Sequence, residues 1–338
     1  MKLSFIIPCY RSEHTILQVI EEIESKMKER PEYVFEIITV NDHSPDQVLG
    51  TLKEAANSRP FLKVIDLAKN FGQHAAMMAG LSCASGDRMV FLDDDFQCPV
   101  DRLWDLLEPL DQGYDVSLAQ YQFEERKESF FRVLGSRLND RMMCLLLDKP
   151  KDLRMTNFIA IKAFIARELL RYKNPYPYID GLLLRSTQKI ANVPMQDRER
   201  LSGSSGYTLR KLISLISNGF TAFSITPLRI ATFVGIVSSL GGFAMGACII
   251  IRKLLDPLAI DAGYSSLMAV ILFIGGMIMI MLGICGEYIG RIYISINNSP
   301  QYVIRGVYNM EPADAEDFSG RCSASDADAK SGEKMKKG

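Results

Sequence analysis

The chain has 338 residues, a formal net charge of −1 and 48% apolar residues. That length gives one or two domains with ample sequence for a core, and the near-zero charge argues against a strongly basic nucleic-acid-binding face. The apolar residues are unevenly spread: the first two-thirds mixes them with charge, whereas the stretch from Ile230 to about Gly286 does not.

In chain order, Leu3 to Pro8 is an apolar run that reads as a first β-strand, and Ser12 to about Glu29 has helical spacing. The run is too short for a signal peptide. Phe35 to Val40 is rich in β-branched residues and reads as a second strand, followed by a helical stretch near Gln47–Ala56. Phe61–Leu67 and Met89–Leu92 read as further strands, with a helical stretch at Gln73–Ala84 between them. Strands alternating with helix-length segments imply βαβ units and a mostly parallel sheet. Ligands of such sheets bind beyond the carboxyl ends of the strands, where this sequence keeps Asn41-Asp42-His43-Ser44 and Asp93-Asp94-Asp95.

Two later stretches mix basic and apolar residues. Phe130–Leu147 carries Arg132, Arg137 and Arg141, and fits either a helix in the headgroup layer or one packed on the sheet. Thr208–Ile225 carries Arg210 and Lys211 and leads into the apolar region, which favours a membrane-interface helix. Ile230–Ile251 and Ser265–Gly286 contain no charged residue, and each has the length needed to cross a bilayer. The short link Arg252–Tyr264, with Pro257, makes them a helical hairpin whose two ends lie on one side. Small residues such as Gly235, Gly241, Gly242 and Gly246 admit close span packing and hence a homo-oligomer. From about Glu311 the composition is that of a disordered tail.

The seven cysteines (Cys9, Cys83, Cys98, Cys144, Cys248, Cys285 and Cys322) are scattered, with no Cys-x-x-Cys pair, and His14, His43 and His74 lack zinc-ligand spacing. Free thiols in a reducing compartment follow. With no signal peptide, the main domain is expected on the cytosolic face of the inner (plasma) membrane, held by a multi-pass anchor.

Chemistry concentrates at Asp93-Asp94-Asp95-Phe96-Gln97. Two carboxylates one residue apart at a strand end suit Mg²⁺ or Mn²⁺ bridging a nucleotide diphosphate, while a solvated acidic turn is the plainer alternative. His74 suits either a pocket wall or a helix contact with a nearby loop.

Several motifs together resemble glycosyltransferase family 2, in its polyprenyl-phosphate branch: Ile7-Pro8-Cys9-Tyr10, Val40-Asn41-Asp42-His43-Ser44-Pro45-Asp46, Asn70-Phe71-Gly72-Gln73-His74 through Gly80, Leu92-Asp93-Asp94-Asp95-Phe96-Gln97-Cys98-Pro99, and Gly286-Glu287-Tyr288-Ile289-Gly290-Arg291-Ile292-Tyr293. The resemblance implies a GT-A fold, a nucleotide-sugar donor and a polyprenyl phosphate acceptor. It assigns Asp93, Asp95 and Gln97 to the metal and nucleotide site, Pro8, Tyr10 and Asp42 to the base and ribose, and Arg126, Arg132 and Arg200 to the lipid phosphate. Asp95 and the three arginines are thus the expected catalytic residues, and Asp93 and Asp94 join the donor-binding set. The sequence departs from the family at Arg11 (usually Asn), Asn41 (usually Asp), His43 (usually Gly), Asp94 (an added carboxylate), Gly206 (usually Lys) and Arg154–Phe158. The donor pocket is therefore altered, and no relative's sugar is carried over; a UDP-linked donor is the expectation.

The expected architecture is a cytosolic GT-A domain over 1–207, an amphipathic interface helix over 208–229, a two-helix transmembrane anchor over 230–293, and a C-terminal segment over 294–338. Membrane lipids and the two substrates are the expected partners, without nucleic acid. A non-catalytic scaffold of the same fold, recruiting a flippase or second transferase, is the rival of another class. A processive polysaccharide synthase is disfavoured because Trp104 is the only tryptophan and no Gln-x-x-Arg-Trp occurs. A Rossmann oxidoreductase is disfavoured because no Gly-x-Gly-x-x-Gly follows a strand.

Overall fold

The computed structural model describes residues 1–122, 149–150, 152–196, 264–296 and 299–310, with scattered positions between 232 and 255. The chain divides into two units. The first contains an eight-stranded sheet: β1 (Lys2–Cys9), β2 (Val34–Asn41), β3 (Leu62–Leu67), β4 (Arg88–Phe91), β5 (Val116–Gln122), β6 (Ile159–Lys162), β7 (Ile190–Gln196) and β8 (Ile304–Tyr308). Their order across the sheet is β7-β5-β6-β4-β1-β2-β3-β8.

The strands β3, β2, β1 and β4 run parallel, as the alternation of apolar runs and helical stretches predicts. Their crossovers are α1 (Ile16–Lys28), α2 (Val48–Ser58) and α3 (Gln73–Ser82). Beyond this block the sheet is mixed. Strand β6 runs antiparallel to both β4 and β5, β7 runs parallel to β5, and β8 runs antiparallel to β3. A helical turn at Val100–Arg102 and α4 (Leu103–Asp111) precede β5, while α5 (Ala163–Leu170) and α6 (Ile179–Ser186) lie between β6 and β7.

The core follows from the pattern of each element. Strand β1 is buried on both faces, with Leu3, Phe5, Ile6 and Ile7 all within 1% of fully buried, as expected of a central parallel strand covered by helices. Helix α1 buries Ile16, Val19, Ile20, Ile23 and Met27, the spacing of a single helical stripe. Helix α3 is apolar around most of its surface, and it buries every residue from Ala75 to Leu81. Glu36 is among the charged residues buried in this unit. Glu36 is 2% exposed, accepts hydrogen bonds from Ser4 Oγ (2.5 Å) and the Ser85 N–H (2.8 Å), and pairs with Lys2 (3.0 Å) and Lys63 (3.1 Å).

The second unit contains α7 (Tyr264–Ile296), 33 residues long. At 1.5 Å per residue it spans about 50 Å, more than the hydrocarbon core of a bilayer. Its stretch Phe273–Gly290 is long and apolar enough to cross a membrane, and among the described residues it is the one helix that is. Phe273, Met279, Ile280 and Leu282 are each at least 61% exposed. The first expected span, Ile230–Ile251, lies mostly outside the described residues, so the described residues hold one such helix rather than two. Its described positions are helical, and a Cβ on Gly235 would stand 3.2 Å from Met281 Cε of α7. The expected interface helix over 208–229 and the tail beyond Met310 lie outside the described residues. Within the expected C-terminal segment, β8 joins the sheet at the edge beside β3.

Candidate active site

The carboxyl ends of β1, β2 and β4 gather the residues singled out in the sequence. The parallel register pairs Pro8 with Val40 and Cys9 with Asn41, so the loops after β1 and β2 leave the sheet side by side. Backbone strain collects in these loops. Arg11 (φ 60°), His43 (φ 51°) and Phe96 (φ 65°) are non-glycine residues in the left-handed region, one in each loop. Such conformations persist where the surroundings hold them, and they concentrate at functional sites.

Asp93 follows β4 and is gripped from two sides. The Gln73 side-chain amide at the start of α3 donates to its Oδ1 at 2.7 Å, and the Asn157 amide, just before β6, donates to its Oδ2 at 2.8 Å. Two amides thus fix the carboxylate plane. Asp95 Oδ1 accepts the Gln97 N–H at 3.2 Å, closing a turn over the strained Phe96. Beneath them Cys98 Sγ accepts the Asp93 N–H at 3.5 Å and lies 3.8 Å from the Tyr121 hydroxyl. Burial raises the Cys98 thiol well above its ordinary range, so it is a packed thiol and not a nucleophile.

Asp94 points elsewhere. Its Oδ2 accepts the Tyr10 N–H at 2.9 Å, and its carbonyl accepts from Thr15 Oγ1 at 2.6 Å. It ties the loop after β4 to the loop after β1. Burial, reinforced by the charge of Asp95, pushes it up to about 6 against the Tyr10 hydrogen bond. Asp42 is likewise engaged: it is 3% exposed, and its two oxygens accept the Phe71 N–H (2.7 Å) and the Gly72 N–H (2.8 Å). Burial raises its carboxyl, opposed by those two donors. Asp42 therefore shapes the loop that presents Gln73 to Asp93. Pro8 is buried in β1, whereas the Tyr10 ring is 44% exposed, with the Arg11 guanidinium 5.5 Å from its centroid. His74 is the loop contact: its Nδ1 accepts the Ile179 N–H at 3.5 Å, its ring meets Tyr178 edge-on, and burial lowers it to about 4.

Arg126, Arg132 and Arg200 lie outside the described residues. Gln73 and Asn157 are the residues that motif reading missed as partners of Asp93. Gln73 sat within a quoted motif and Asn157 within a noted departure, but no spacing links positions 73, 93 and 157. Among the described residues no group of three His, Cys, Asp or Glu side chains converges as a complete metal cage. Two hard carboxylates with the remaining ligands drawn from substrate phosphates is how Mg²⁺ is commonly held, and Asp93 and Asp95 fit that donor set.

A family model described as glycosyl transferase family 2 matches residues 4–172, half of the chain. The chain belongs to glycosyltransferase family 2. A second model, the GtrB C-terminal hairpin, matches residues 226–292. An undecaprenyl-phosphate 4-deoxy-4-formamido-L-arabinose transferase of Edwardsiella ictaluri is 32% identical over 317 residues, covering 93% of this chain and 96% of that one. The SfII prophage-derived bactoprenol glucosyl transferase of Shigella flexneri is 30% identical over 321 residues, covering 92% and 100%. An uncharacterized glycosyltransferase, YkcC of Bacillus subtilis, is 31% identical over 314 residues, covering 92% and 95%. This family 2 glycosyltransferase thus falls in the polyprenyl-phosphate branch and is an inverting enzyme, which removes the scaffold reading.

Proposed function

We propose that this family 2 glycosyltransferase transfers a sugar from a UDP-linked donor to undecaprenyl phosphate at the cytosolic face of the membrane. The observation that carries the reading is the joining, in one chain, of the family 2 domain to the hairpin of the polyprenyl-phosphate branch. The names of the relatives agree with it, and so does the exposed apolar surface of α7.

The chain's own residues then act as follows. Tyr10 and the Asn41–Ser44 turn border the base and ribose, with Pro8 and Asp42 supporting them from beneath. Gln73 and Asn157 hold Asp93 in a fixed plane, and the turn closed by Gln97 presents Asp95. These two carboxylates would hold Mg²⁺ or Mn²⁺, which when bound neutralises charge on the departing diphosphate. Arg126, Arg132 and Arg200 hold the lipid phosphate, for which the guanidinium fork is suited. A phosphate monoester has a second pKa near 6 and is largely dianionic at neutral pH, so the acceptor needs no general base. Its oxygen forms a bond to the anomeric carbon as the bond to the diphosphate breaks. The nucleoside diphosphate leaves with the electron pair, and the configuration inverts. An anchor that confines the enzyme to the surface holding its acceptor supplies proximity.

The test is a panel of nucleotide-sugars presented, with undecaprenyl phosphate and Mn²⁺, to membranes containing the protein or its Asp95→Asn variant. A glycosylated lipid is expected from at least one UDP-sugar, lost on chelation and reduced roughly 100-fold or more by Asp95→Asn. Undiminished product after chelation and in the variant would remove the metal from the account.

A further inference from the structure

The strand that follows α7 brings an arginine to the nucleotide side of the sheet. Arg305 lies on β8, and its Nη2 donates to the Ala68 carbonyl at 2.7 Å, just past the end of β3. The same nitrogen is 3.5 Å from His43 Nδ1, and Nη1 is 3.7 Å from Asp66 Oδ2. Asp66 is 2% exposed, and a carboxylate so buried needs charge and hydrogen-bond compensation. It receives the Asn41 side-chain amide at 2.7 Å. Asn41 Oδ1 in turn accepts the Ser44 N–H at 3.1 Å, closing the turn that contains Asp42 and the strained His43. Ser44 Oγ then accepts the Arg11 N–H at 2.7 Å. A continuous chain of polar contacts therefore runs from β8 through β3 and β2 to the loop after β1. Three of the positions that depart from the family, Arg11, Asn41 and His43, lie on it.

We propose that Arg305 is a positioning residue for donor binding: it latches the Asn41–Ser44 turn through Asp66 and His43, and so sets nucleotide affinity without entering the transfer step. The inference rests on the nucleotide site proposed above. Arg305 is half exposed and its network lies at the rim of the sheet, so its replacement leaves the core intact.

The experiment uses the full chain in detergent, with UDP and GDP as probes in calorimetry and steady-state transfer as the second readout. Arg305→Gln is expected to weaken nucleotide binding and raise donor KM by roughly 10-fold, a modest coupling typical of a supporting contact. The value of kcat and the acceptor KM should stay within about two-fold. Arg305→Lys should recover part of the affinity, and Arg305→Gln should add little in an Asp66→Asn background, because the two share one path. Unchanged donor affinity in Arg305→Gln, or a fall in melting temperature and kcat with donor KM unmoved, overturns the inference while the transfer function stands. A wild-type protein that binds neither nucleotide overturns the underlying site, and the inference with it.

Discussion

At the scale of single residues, the site depends on side chains that hold other side chains. Asp93 takes its orientation from Gln73 and Asn157, while Asp94 and Asp42 spend their oxygens on neighbouring loops. The carboxylate pair stood out in the sequence through its spacing together with the family motif; the amides that hold Asp93 did not, because they arrive from α3 and from the approach to β6. Asp94 illustrates the limit from the other side. In sequence it is a third carboxylate beside two metal-ligand candidates, but the bend after β4 turns it toward Tyr10. Outside the site, Glu36 offers a clean test of the electrostatics. Burial alone would raise its carboxyl, but hydrogen bonds from Ser4, Ser85 and Lys2 and the charge of Lys63 outweigh it and hold it at about 2 rather than 4.5. The folded-state value is the depressed one, so the stabilisation is complete above about pH 4.5 and is lost as the pH falls toward 2. Glu36→Gln should cost about 3 kcal/mol at neutral pH. The gap in melting temperature between variant and wild type should narrow as the pH is lowered below about 4; a constant gap would contradict the assignment.

At the scale of elements, the half of the sheet built from β1 to β4 was readable because its apolar runs are uninterrupted and its crossovers are helix-length. Strand β5 mixes Ser117, Gln120 and Gln122 into its run, and β7 carries Asn192 and Pro194. Neither announces itself as a strand, and proline is tolerated in β7 because that strand lies at the sheet edge. Strand β8 is five residues long and its pairing depends on contacts with β3 more than 230 residues earlier, which local pattern cannot supply. Helix α3 shows how a motif residue earns its place through packing. A Cβ at Gly80 would stand 2.6 Å from Ile6 Cγ2 and 3.1 Å from Val40 Cγ2, on two fully buried β-branched side chains that cannot swing aside. Gly80→Ala should therefore destabilise the protein by about 1–3 kcal/mol. It should also weaken activity, since α3 carries Gln73 to Asp93. A variant as stable as wild type would show that α3 has room to move away from β1 and β2.

At the scale of the whole molecule, the chain builds seven strands of its sheet, passes through an apolar region that includes α7 and then adds a last strand to the same sheet. The sheet of the first unit is therefore not complete within the first 207 residues, because β8 follows α7 in the chain. Membership of the family was legible in the order of the motifs, and the comparisons agree. The departures at Arg11, Asn41 and His43 gain a physical context only in the fold, where they share one network with Arg305. The central claim, that a sugar alone passes to the lipid phosphate, is tested most directly by the mass of the lipid product. The full-length protein, given undecaprenyl phosphate and its UDP-sugar, should yield undecaprenyl phosphate bearing one sugar residue, with UDP released in equal amount. A lipid diphosphate-sugar with release of UMP, or UDP with free sugar and unmodified lipid, would contradict it.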